Sequence, residues 1–102
     1  MWHVATASRQ GFKMTIERVI QLRQRPGLYL AGKVSSGAVR TGDRLNLLDG
    51  GTVIREVTCD GVEFVDVDIH RPELALLAVH VRSLLPGDAR EGQTLASVPD
   101  SE

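Results

Sequence analysis

The chain has 102 residues and is poor in several residue types whose scarcity excludes whole classes of protein. Its one cysteine, Cys59, cannot form an internal disulfide, so no disulfide framework is expected and a reducing cytoplasm is the simplest location. Aromatic residues make up 4%, so the core must be aliphatic. Stacking platforms for single-stranded nucleic acid are correspondingly few: only Trp2, Phe12, Tyr29 and Phe64 exist. No apolar run approaches the roughly 18 residues of a membrane span. The first residues lack the continuous apolar stretch of a secretory signal. The only lysines are Lys13 and Lys33, and nothing matches G-x-x-x-x-G-K-[ST], the phosphate-cradling loop. Nucleotide hydrolysis by this chain alone is therefore not expected.

What remains is 42% hydrophobic residues in one small domain with a single thin core. The formal net charge of −1 hides a split. Residues 1–40 hold seven Lys/Arg and one acid, Glu17, for +6; residues 41–102 hold five Arg and twelve Asp/Glu, for −7. Such asymmetry points to a charged partner surface or to pairs formed across the fold.

Period two dominates the hydrophobic pattern. Over residues 12–23, five of six even positions are apolar and one of six odd positions is. That predicts a half-buried strand, with an irregularity at Arg18 and Val19. Arg25, Pro26 and Gly27 read as a turn. Leu28, Leu30, Gly32 and Val34 form one face of a second strand, where Gly32 leaves room for a crossing backbone. Asp49, Gly50 and Gly51 signal a hairpin. Residues 52–64 read as one long strand whose apolar parity flips, predicting a bend near Asp60 and Gly61. Residues 74–84 suit helix or strand. We read a strand, with Ala75, Leu77, Val79 and Val81 on one face and Leu76 on the other. Residues 89–91 suggest a helical turn and residues 92–96 a last short strand. Six strands with glycine turns imply an all-β fold, and closure into an antiparallel barrel removes exposed edges.

Three groups of residues carry a resemblance. They are Phe12-x-x-x-Ile16-Glu17-x-Val19, then Gly32-Lys33-Val34-x-x-Gly37-x-Val39-x-x-Gly42-Asp43 with Gly61-Val62-Glu63-Phe64, and finally Val79-His80-Val81-Arg82-x-Leu84 with Gly92-Gln93-Thr94-Leu95-Ala96. In this order and spacing the chain resembles the second domain of elongation factor Tu and its translational GTPase relatives. The likeness covers residues 12–97, nearly the whole chain, although no single motif is specific. It implies a closed six-stranded Greek-key barrel over 12–97, an N-terminal arm over 1–11 and a tail over 98–102. In that family the domain helps hold the aminoacylated 3′ end of tRNA. The resemblance assigns Glu63 to the glutamate that contacts the terminal ribose, Glu17 to the first-strand glutamate and Leu22 to the adenine pocket. Other positions depart: Arg18 stands for an aspartate, Ile20 for a phenylalanine and Asp66 for an arginine. Apolar residues near Leu76 replace an asparagine, a loss of about 1 kcal/mol of polar contact. These departures weigh against aminoacyl-tRNA binding.

The expectation is a stand-alone, non-enzymatic binding or adaptor module with no cofactor and no metal, whose partner is another protein or a second copy. The alternative is an RNA, tRNA or ribosome contact through Glu17, Arg18, Leu22, Arg23, Arg25, Lys33 and Glu63, driven by the basic first two strands. Against it stands the reading that these cations pair with acids across the barrel. His3, His70, His80 and Cys59 match no zinc spacing. Asp66, Asp68 and Glu73 around His70 read as a solvated loop. Trp2 and Val4 suggest an arm that docks on the barrel.

Overall fold

The computed structural model describes residues 11–65 and 69–99. Trp2, Val4, Asp66 and Asp68 lie outside the described residues. The chain forms β1 (Lys13–Ile20), β2 (Leu28–Ser36), β3 (Arg44–Asp49), β4 (Thr52–Thr58), β5 (Gly61–Val65), β6 (Leu76–Val81) and β7 (Thr94–Ser97). A 3-10 turn at Pro72–Leu74 precedes β6. Among the described residues no helix is long and apolar enough to cross a membrane. All seven strands join one antiparallel sheet in the order β4-β3-β7-β1-β2-β6-β5.

The all-β class follows the period-two pattern, but the expected closed barrel of six strands is corrected to an open sheet of seven. The cause lies in the long strand expected over 52–64. It breaks at Cys59 and Asp60, where the parity flips, into β4 and β5. Because every ladder is antiparallel, β4 and β5 run in the same direction, end to end. Successive halves of one bent strand cannot lie side by side, so no ladder joins them among the described residues. Among the described residues, backbone hydrogen bonds tie both edges to this corner. On the β3 side the Gly42 amide donates to the Cys59 carbonyl at 2.7 Å and the Cys59 amide to the Asp43 carbonyl at 2.8 Å. On the β6 side the Asp60 amide donates to the His80 carbonyl at 2.7 Å.

The irregularity expected in the first strand is a bulge. Ile16 pairs with Gly32 and Arg18 with Ala31, which leaves Glu17 as the extra residue. The backbone crosses closely here: a Cβ on Gly32 would stand 1.9 Å from the Thr15 carbonyl oxygen. Of the strand expected over 74–84, Leu76–Val81 forms β6, while Leu74 belongs to the 3-10 turn and residues 82–84 lie beyond the strand. Val79 and Val81 enter the main core with Phe12, Met14, Ile16, Leu30, Leu45, Leu47 and Leu95, and Leu77 packs against it. Leu76 and Ala78 face the other way and join a second cluster with Tyr29 and Ala31. The sheet is thus apolar on both faces where β2 and β6 pair. The helical turn expected over 89–91 is absent. The Gln93 side-chain oxygen accepts the Arg90 backbone amide at 2.8 Å, and the Gln93 backbone amide donates to the Arg90 carbonyl at 3.2 Å, closing a turn at Gly92 (φ +92°). The last strand accordingly starts at Thr94 rather than Gly92.

Candidate binding face

Alternation along each strand and the ladder registers together place side chains on the outer face of β1, β2, β6 and β5. One row across these strands is Ile20, Tyr29, His80 and Gly61. The next row is Arg18, Ala31, Ala78 and Glu63. Lys33, two residues beyond Ala31, lies on the same face. The floor is small and buried, with Ala31 and Ala78 fully covered. The rim is charged.

The turn between β1 and β2 brings Arg25 over this face. The Arg25 amide donates to the Leu22 carbonyl at 3.2 Å. Gly27 adopts φ +83°, and a Cβ there would meet the Val81 carbonyl oxygen at 2.2 Å, so only glycine lets the turn press on β6. His80 Nε2 lies 2.8 Å from the Pro26 carbonyl oxygen. A carbonyl only accepts, so Nε2 carries the proton in this contact. The His80 ring stacks on Tyr29, with centroids 4.3 Å apart and planes 7° from parallel. The Tyr29 hydroxyl accepts from Arg25 Nη1 at 2.6 Å, and the same nitrogen reaches Glu63 Oε2 at 3.2 Å. The hydrogen bond to Tyr29 is the largest cause that pushes the Arg25 pKa above its ordinary value, with Glu63 adding to it. Both members of the Arg25–Glu63 pair are more than half exposed, so it orients the side chains more than it stabilises the fold.

Of the seven residues singled out from sequence, Arg18, Arg25, Lys33 and Glu63 come together on this face. Leu22 (42% exposed) and Arg23 sit in the adjoining turn. Glu17 is exposed on the bulge, outside the ladder register. The cations are largely engaged. Arg25 pairs with Glu63, Lys33 Nζ donates to the Glu73 carbonyl, and Arg18 also has a partner. Glu56 pairs with Arg44 at 2.6 Å rather than with the first two strands. Tyr29 and His80 complete this face and were not among the candidate site residues singled out from sequence. The available signal was an aromatic alternating with alanine on the strand face opposite Leu28 and Leu30, four residues after an arginine.

A shallow depression of about 440 Å³ lies beside the face, where the sheet edges meet, lined by Pro26, Thr58, Asp60, Arg82 and Ser83. Asp60 Oδ2 accepts the Arg82 amide there at 2.8 Å. Cys59 is fully buried, and burial pushes its thiol pKa up, which keeps it protonated and unreactive at neutral pH. Among the described residues no three His, Cys, Asp or Glu side chains gather as metal ligands. Comparison of the sequence with protein-family models and with curated proteins finds no match.

Proposed function

We propose that this chain is a non-enzymatic binding or adaptor module whose contact face is the outer face of β1, β2, β6 and β5. The observation that carries the proposal is the convergence of Arg18, Arg25, Lys33 and Glu63 around Tyr29 and His80 on that one face. An ordered charged rim over a rigid sheet is a recognition surface that needs little rearrangement to bind. We further propose kinship with the second domain of elongation factor Tu. Several features support it: the bulge falls inside the Ile16-Glu17 motif, Gly37 and Gly42 take positive φ at their motif positions, and β4 with β5 counts as one bent strand. The absence of a phosphate-cradling sequence leaves binding, not nucleotide hydrolysis, as the role of this chain.

The second reading is an RNA, tRNA or ribosome contact. What favours it is that Arg18, Arg23, Arg25 and Lys33 all lie in β1, β2 or the turn between them. What weakens it is that Arg25 and Lys33 already have partners, so counterion release on binding phosphate would be smaller than their charge suggests. Affinity capture from the protein's own cells, with bound protein and RNA both identified, separates the two. Wild type is compared with a variant carrying Arg25→Ala and Lys33→Glu. A protein retained by wild type and lost by the variant supports the adaptor. RNA that is released between about 50 and 200 mM salt supports the second reading. Capture that the variant leaves unchanged refutes this face as the contact surface.

A further inference from the structure

Among the described residues, β2 loses its neighbour on one side before it ends. β1 follows it to its last residue, with Lys13 opposite Ser36. The ladder with β6 stops at Leu77 opposite Gly32, so residues 33–36 have no strand on that side. In its place stands the 3-10 turn Pro72–Leu74, held alongside by the Lys33 ammonium, which donates to the Glu73 carbonyl. This cover is incomplete. Alternation puts Val34 on the inner face with Leu28 and Leu30, and its partner Met14 is fully buried, yet Val34 is 40% exposed. Leu74 in the turn is 45% exposed.

The chain enters the fold at this same place. The Gly11 carbonyl accepts from the Ser36 hydroxyl at 2.9 Å, and the Phe12 amide donates to the Ser97 hydroxyl at 2.7 Å. Gly37 presses on the same point, since a Cβ there would stand 2.5 Å from the Gly11 carbonyl oxygen. Gly11 is thus fixed beside Ser36, and Val34 lies two residues, or about 7 Å, back along β2. Residues 1–10 precede it and lie outside the described residues. Ten residues span up to about 33 Å, several times the distance to Val34. Trp2 and Val4 stand two apart in that segment, so an extended backbone puts both on one side.

We propose that residues 1–10 turn back over the open side of β2 and seat Trp2, with Val4 beside it, on Val34 and Leu74. An occupant on the same chain is present at an effective concentration of about millimolar order, an advantage that a free partner of like chemistry lacks. An indole suits a half-covered apolar patch, because its ring covers carbon while its N–H stays at the wet rim. This proposal does not depend on the contact face described above, which is the outer one.

Trp2 is the only tryptophan of the chain, so its fluorescence reads the seat directly. In the folded full chain its emission should lie to the blue of that in denaturant, and acrylamide should quench it at least two-fold less. Val34→Asp and Leu74→Asp each place a charge on the seat at an exposed position. Each should shift the emission to the red and raise the quenching, with the far-ultraviolet circular dichroism unchanged. Val53→Asp, at an exposed position on β4, should change neither. Independently of any variant, nuclear Overhauser contacts between the Trp2 ring and the Val34 methyl groups are expected, and their absence overturns the proposal. So does a folded wild type whose emission is as red and as readily quenched as in denaturant. Protection that survives both seat variants also overturns it, as does protection lost equally in Val53→Asp. A dimer mass by light scattering, with protection that falls on dilution, does the same, because Trp2 then sits on a second copy.

Discussion

Replacing Gly32 by alanine tests the claim that β1 and β2 approach too closely for any side chain. The added Cβ would lie 1.9 Å from the Thr15 carbonyl oxygen and 3.2 Å from Met14 Cγ. The methionine can shift; the carbonyl belongs to the β1 backbone beside the Glu17 bulge and cannot. A relaxed carbon–oxygen contact is about 3.3 Å, so one strand must yield by about 1.4 Å. That displacement weakens two neighbouring ladder hydrogen bonds at about 1 kcal/mol each. Overpacking adds about 1–3 kcal/mol. The expected loss is about 3–5 kcal/mol, a large share of the roughly 5–15 kcal/mol that holds a domain of this size together. In a thermal melt this lowers Tm by roughly 12–40 °C. Gly61→Ala is the control. Its nearest neighbour is His80 Cβ at 3.7 Å and its φ is not positive, so the substitution should be neutral or stabilise by about 0.4–1 kcal/mol. Calorimetry of both variants decides the matter. A Gly32→Ala protein that melts within about 3 °C of wild type would refute the close-approach argument.

Three further outcomes are expected. Leu95→Ala empties a fully buried core position on β7 and should cost about 2–5 kcal/mol in urea denaturation. Burial raises the Cys59 thiol pKa in the folded chain, so the unfolded chain ionises first. The stability this contributes is complete below the unfolded value of about 8.5 and is lost as pH rises through the folded value. The urea midpoint should thus fall between about pH 7.5 and 10, and fall less in Cys59→Ala. Glu63→Gln breaks an exposed ion pair and should change stability by less than about 1 kcal/mol. A Glu63→Gln loss well above that value would mean that the pair is shielded from solvent.

Much of the fold was legible because local chemistry and hydrophobic period agreed. The Asp49-Gly50-Gly51 turn predicts a hairpin, and both glycines adopt positive φ between β3 and β4. The parity flip near Asp60 predicts a bend, and the chain turns there. Residues 74–84 were ambiguous by periodicity, and the alternation of Leu77, Val79 and Val81 decided for a strand. The helical turn over 89–91 was misread because Gln93, three residues on, competes for the Arg90 amide through its side chain. Candidate site residues were legible one at a time, by type and by motif position. Their grouping was not. Arg25 and Glu63 are 38 positions apart, and only the β2–β6–β5 registers bring them together.

By itself the sequence determined the class of the fold, the aliphatic core, the glycine turns and the lack of a phosphate-cradling loop. Each of these depends on residue type and short-range spacing, which a linear chain states directly. The charge split of +6 and −7 was equally plain, but its meaning was not. Read along the chain, it suggested a basic surface free to bind phosphate. The tertiary structure set Arg25 against Glu63 and Lys33 against the Glu73 carbonyl, converting much of that split into neighbouring partners. The same topology put a bulge on β4 and left Phe64 on β5 67% exposed. Electrostatic pairing and edge exposure depend on distances in space, and strands far apart in sequence acquire those distances only once the sheet has formed.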